Sequence, residues 1–188
     1  DGAQNFDGNY SPRLSLAYAA GENKEHNFRG SFQTGFRYPT TQDQYIGLDA
    51  GRALLVGSAP DNLDRYSSTF DVSGGGQALG IPATITQTGG VAYTNSYTLS
   101  SVQARAATGN PAVLEIANPD LVKPEQVSSV EVGYRGKFSR VIVDFNAYYN
   151  DYKDFISQEV VISPYYGTVD DNSLSVAAIA NDDYQAYS

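Results

Sequence analysis

The side chains able to do covalent or acid–base chemistry are few. The chain has 188 residues and lacks cysteine, methionine and tryptophan. A thiol nucleophile, a disulfide and a cysteine-based zinc site are therefore excluded. His26 is the single histidine and lies in a polar stretch between two apolar segments. A Ser-His-Asp triad would have to be built on that one turn residue. Asp61/Asp64, Asp151/Asp154, Asp170/Asp171 and Asp182/Asp183 are close carboxylate pairs. Glycosidases need two carboxyls about 5–10 Å apart, and Asp with Asn supplies the hard oxygens that calcium takes. Acids in polar loops usually serve only as solvated charge. Gly74-Gly75-Gly76 with Gly80 lacks the Lys-Ser/Thr of a phosphate loop and reads as a flexible turn. The expectation is a protein that is no enzyme and holds no cofactor. Calcium in the acidic loops is the one cation chemistry its donors suit.

Binding chemistry has more to work with. Fifteen tyrosines and eight phenylalanines stand among 18 glycines. Tyr38, Tyr45, Tyr66, Tyr93 and Tyr97 fall in one long segment, where an apolar ring with a polar tip can stack on sugars or peptides. Arg52 and Arg65 in the same segment can orient polar groups. These seven are the candidate ligand contacts. The competing reading is that the rings pack the segment onto itself. The formal net charge of −9 repels phosphates and argues against a nucleic-acid partner.

Period-2 alternation supplies the elements that would position these residues. Leu14, Leu16 and Tyr18 alternate with Arg13, Ser15 and Ala17, and Phe28, Phe32 and Phe36 with Asn27, Arg29, Ser31 and Gln33. Val130, Val132 and Tyr134 alternate with Ser129, Glu131 and Arg135. In a fourth run Val143, Phe145 and Tyr149 oppose Asp144 and Asn146. Alternation rich in β-branched and aromatic residues marks strands. The expected strands run about 11–20, 27–37, 127–136 and 140–156, as two antiparallel hairpins. Their connections are unequal: two short polar turns, a long loop over 38–126 and a second long loop over 163–188. A segment near 90 residues far exceeds the usual loop and must be functional or carry structure of its own. Within it, Thr40 with an acid three residues on predicts a helix over 40–46. Leu99, Val102 and Ala106 before Gly109 and Pro111 predict one over 98–107, and 84–88 reads as a short strand. The acidity belongs to the loops. Residues 38–126 hold eight acids and four bases, and 150–188 hold seven acids and one base.

No window approaches the run of about 18 apolar residues that a membrane helix needs. A transmembrane barrel has no such runs, because lipid-facing and lumen-facing residues alternate. On the apolar faces Tyr18, Phe28 and Tyr134 sit beside the short turns, and Phe36 and Tyr149 near the long loops. Rings gathered at both strand ends suit two membrane–water interfaces. Arg13, Arg29, Glu131, Arg135 and Asp144 on the opposite face suit a polar lumen. Short turns at one end and long loops at the other complete that pattern. A soluble extracellular β-sandwich that binds carbohydrate is the alternative from the same alternation.

Two motifs add to this. Gly35-Phe36-Arg37-Tyr38-Pro39-Thr40 closes the second strand. Asn118-Pro119-Asp120-Leu121-Val122-Lys123-Pro124-Glu125 precedes the third, followed by Val130-Glu131-Val132-Gly133-Tyr134-Arg135. The pair closely resembles the barrel signatures of TonB-dependent receptors, G-F-R-x-P-T and N-P-x-L-K-P-E before an E-x-G-Y/L strand. Val122 is an extra residue against that pattern. The stretch 42–48 and the size of the loop look most like the SusC-like subgroup. The resemblance implies a 22-stranded barrel in the bacterial outer membrane with an N-terminal plug, energised through TonB, importing a glycan or peptide. The implied partners are outer-membrane lipid, the extracellular nutrient, the TonB complex through parts outside this chain, and a surface lipoprotein lid. The absence of methionine, plug and terminal aromatic leads us to expect an internal stretch. The fold expected is thus all-β: about four strands of a larger antiparallel transmembrane barrel with long extracellular loops. Locally, Pro39 ends a strand because it cannot donate to a ladder, and Pro119 and Pro124 bias the residues before them to extended backbone. Lys123 and Glu125, two apart, share a side if that backbone is extended.

Overall fold

The structure, a computed structural model, describes residue 6, residues 8–171 and residues 173–188. In chain order its elements are β1 Arg13–Ala20, β2 His26–Arg37, α1 Thr41–Tyr45, β3 Gly47–Asp49, β4 Leu54–Val56 and β5 Ser67–Asp71. There follow α2 Gly74–Ala78, β6 Thr84–Thr88, α3 Val91–Thr94, β7 Tyr97–Thr98, α4 Leu99–Thr108 and a 3-10 turn at Pro111–Val113. The last are β8 Glu125–Phe138, β9 Val141–Lys153, β10 Val161–Pro164, α5 Leu174–Ala180 and β11 Tyr184–Tyr187. They group into two compact units, Asp1–Pro39 with Lys123–Ile156, and Thr40–Val122 with Ser157–Ser188.

The first unit is an open antiparallel sheet in the order β1-β2-β8-β9. Strands β2, β8 and β9 have 12, 14 and 13 residues. That exceeds the tilted run of about 9–11 that crosses a bilayer. The register aligns the expected faces. Leu16, Gly30, Val132 and Ala147 form one row across the four strands, and Tyr18, Phe28, Tyr134 and Phe145 form the row two residues nearer the short turns. Leu14, Phe32, Val130 and Tyr149 lie on the other side of the central row. Arg29, Glu131 and Asp144 take the opposite parity and face the other way, as the alternation predicts. The strand ends differ from the expectation by up to three residues: β1 begins at Arg13, and β8 runs on to Phe138. β8 begins at Glu125, because Arg37 pairs with it as the last rung of the ladder. β9 ends at Lys153, where Asp154 turns to a left-handed φ of 53°. His26 is the first residue of β2 and shares the apolar face, contrary to its reading as a turn residue.

The second unit gives the loops a core of their own. Its main sheet has the order β3-β4-β11-β10-β7, and β5 with β6 forms a separate hairpin. Pairing is antiparallel except between β11 and β4. Both faces of this sheet are covered. Leu54, Val161 and Tyr187 pack on one side with Ala92 and Ala117, and Tyr97, Ile162, Val102 and Ile179 on the other. Helix α1 carries the predicted capping box. The Thr40 hydroxyl accepts from the Asp43 N–H at 3.1 Å, and the Asp43 carboxylate accepts from the Thr40 N–H at 2.8 Å. Helix α4 is capped by Thr98 and stopped by Gly109 at φ 69°. Gly74-Gly75-Gly76 is not a flexible turn. It forms the first turn of α2, because Ser73 caps it and accepts from the Gly76 N–H. Gly76 is buried there, and a Cβ on it would meet Asp183 Oδ2 at 2.5 Å and the Tyr166 ring at 3.0 Å.

Candidate functional site

Two surfaces hold the candidate residues, one on each unit. On the four-stranded sheet both faces are exposed, the apolar one included. Leu16 is 73 % exposed, Val132 51 % and Phe145 59 %. No described residue covers them, which in water would forfeit the burial that ordinarily pays for such a face. At the short-turn end its rings form a continuous cluster. Tyr18 stacks near Phe28 at 6.4 Å, Phe28 near Tyr134 at 4.9 Å, and His26 lies between Tyr134 and Phe138. The Tyr134 hydroxyl meets His26 Nδ1 at 2.8 Å. To do so its ring folds over Gly136, where a Cβ would collide with it.

The other face of that sheet is polar and cross-linked. Arg29 reaches Asn146 across Gly133, whose missing side chain leaves the path open. Arg29 also stands 4.0 Å from Glu131. Ser129 donates to Asn150 at 2.7 Å, and Arg37 pairs with Glu125 at 2.8 Å. The pair ties Arg37 of the first motif to Glu125 of the second, where the two strands leave the sheet. In the turn between β1 and β2, the Glu25 carboxylate takes Asn23 N–H at 3.2 Å and Asn23 Nδ2 at 3.1 Å. Backbone and Asn23 hydrogen bonds hold its pKa below the usual carboxylate range.

The seven candidate ligand contacts are not one constellation. Tyr38 belongs to the sheet unit, packed against Phe36 at 5.1 Å and Phe6 at 5.9 Å. In the loop unit, Arg65 lies 5.6 Å over the Tyr45 ring and pairs with Asp61 at 3.0 Å. The neighbouring Tyr66 ring packs against Gly47, where a Cβ would come within 3.0 Å. Tyr45, Asp61, Arg65 and Tyr66 thus gather around β3. Arg52 is exposed in the β3–β4 turn. Tyr66 and Tyr93 are half-buried against the core, and burial pushes the Tyr93 phenol above its ordinary value. Tyr97 is 1 % exposed, with its hydroxyl 2.8 Å from Ser175 Oγ. Its ring has no face to offer a ligand, since β7 places it inside the sheet's core.

Two acids that the sequence reading named only as members of close pairs have specific partners. Asp61 had a signal, since it precedes Arg65 by four residues. Asp183 had none. It read as half of a solvated pair, yet it is 2 % exposed and accepts from Ser73 N–H, Ser73 Oγ and Tyr166 Oη at 2.7, 2.8 and 2.9 Å. Among the described residues no three His, Asp or Glu side chains gather into a cation-binding cluster.

A long two-faced antiparallel sheet, open at both edges and apolar toward its surroundings, is the build of a membrane-barrel wall. A family model described as "TonB dependent receptor-like, beta-barrel" matches residues 1–184. The chain belongs to this family, and membership implies transport across the outer membrane. No curated protein matches the chain. No solved structure matches it either.

Proposed function

We propose that this chain is an internal barrel stretch of a SusC-like importer that takes up a neutral glycan or peptide through a plug-gated lumen. The observation that carries the reading is the two-faced sheet, with exposed aliphatic rows around Leu16 and Val132 and the ion-paired face of Arg29, Glu131 and Arg37 opposite. Hydrocarbon is the solvent that makes such a face favourable. Residues 1–188 then belong to one barrel domain, with 38–126 and 163–188 as its outer loops. The two motifs and the size of the first loop support the subgroup. Plug and TonB contacts lie with segments outside this chain, and a surface lipoprotein is the expected lid.

In this reading the work is binding and energised release, with no covalent step. Tyr45 and Arg65 offer a ring face and a guanidinium to a polar, uncharged ligand, and Arg52 stands exposed in the β3–β4 turn. Charge narrows the class. Thr40–Val122 with Ser157–Ser188 holds twelve acids against three bases, whereas the sheet unit holds nine of each. The entire net charge of −9 therefore sits on the loops and disfavours anionic ligands.

A lipid-folding titration tests the barrel assignment. Val132→Arg places a charge near the hydrocarbon midplane and should cost about 2–4 kcal/mol. Pro124→Ala frees only unfolded conformations and should cost about 0.4–1 kcal/mol. Equal, small effects of both would mean that Val132 does not face lipid, and the reading would fail.

A further inference from the structure

We propose that the two outer loops behave as one rigid body, joined through Asp183, so that any motion admitting a ligand swings the body whole rather than parting the loops. The sheet order carries the argument. β3, β4 and β7 come from the first loop; β11 lies in the second, and β10 begins two residues ahead of its expected start at 163, in the same stretch after β9. The second loop's hairpin is inserted between two strands supplied by the first. Leu54 pairs with Tyr187, Ser188 N–H donates to Leu54 O at 3.0 Å, and Val161 pairs with Thr98.

The side chains across this joint are buried and mutually committed. Among the described residues Asp183 has no salt-bridge partner; its carboxylate accepts from the Ser73 amide and hydroxyl of the first loop and from Tyr166 of its own. Asn95 clamps the second loop twice, accepting from Val169 N–H at 2.8 Å and donating to Gly167 O at 3.1 Å. Parting the loops would strand these groups and open three apolar clusters at once. The body connects to the sheet unit at three chain crossings, 39/40, 122/123 and 156/157. Those crossings are the places where motion can be absorbed.

Amide hydrogen exchange on the protein at its full natural length, in detergent, tests this. In Asp183→Asn, exchange in β4 and β7 and in β10 and β11 should accelerate by one common factor of about 10- to 100-fold, with β8 and β9 unchanged. Complete loss of protection in all four loop strands, with β8 and β9 still protected, is the same result carried further. Tyr97→Phe removes only the bond to Ser175 and should raise the same four strands by a smaller common factor. Acceleration confined to the strands of one loop, in either variant, would overturn the proposal.

Discussion

Gly133 and Gly136 show how absent side chains shape this sheet. The first leaves a path for Arg29 on the polar face, and the second a seat for the Tyr134 ring on the apolar face. Gly76 does the same inside the loop body, where it admits the Asp183 carboxylate. Gly76→Ala forces a methyl into that contact and should destabilise the loop unit by about 1–3 kcal/mol, read as earlier loss of its exchange protection. The buried phenols make a second prediction. Burial raises the Tyr93, Tyr165, Tyr166 and Tyr187 pKa values above the ordinary phenol value. Their folded state therefore prefers the neutral form. That contribution is complete below the unfolded phenol pKa of about 10 and is lost as pH rises through the raised values. Near-ultraviolet absorbance of tyrosinate should show the loop unit ionising cooperatively with its unfolding above about pH 10. Independent ionisation without loss of structure would contradict it.

Helix α1 is a single capped turn, so its ends carry most of its stability. Thr40 belongs to the first motif, yet the structure gives it a local task as the N-cap whose hydroxyl holds the Asp43 amide. Thr40→Ala should cost about 0.5–2 kcal/mol, while Thr40→Ser should retain most of the cap. Equal loss in both variants, measured by exchange at Gln44 and Ile46, would mean that the hydroxyl bond is unimportant. Among the strands, alternation located all four long ones, because each has one face of each polarity. The short strands β4, β10 and β11 showed no alternation to read, because their sheet is covered on both faces.

Charge is divided between the two units as sharply as polarity is divided between the two faces of the sheet. The sheet unit is neutral and the loop unit carries −9. Binding of a cationic peptide should weaken as salt rises, binding of a neutral glycan should be indifferent to salt, and a polyanion should bind poorly. Strong polyanion binding that depends on Asp49, Asp61 and Asp64 would contradict this. Asp61 and Asp64 accept from Arg65 and Thr88.

The sequence alone determined the wall: strand faces, short turns, the capping box of α1 and the motifs that close β2 and open β8. Each is a local pattern, in which a side chain's role follows from its parity or from a neighbour three residues away. Tertiary structure alone decided what the loops are. Asp183 meets Ser73 across 110 residues, and Tyr97 meets Ser175 across 78. Nothing periodic announces such contacts. They exist because two segments, neither with a core of its own, bury their apolar residues against each other. That burial turned an expected ligand tyrosine into a core residue and an expected solvated acid into the joint between the loops.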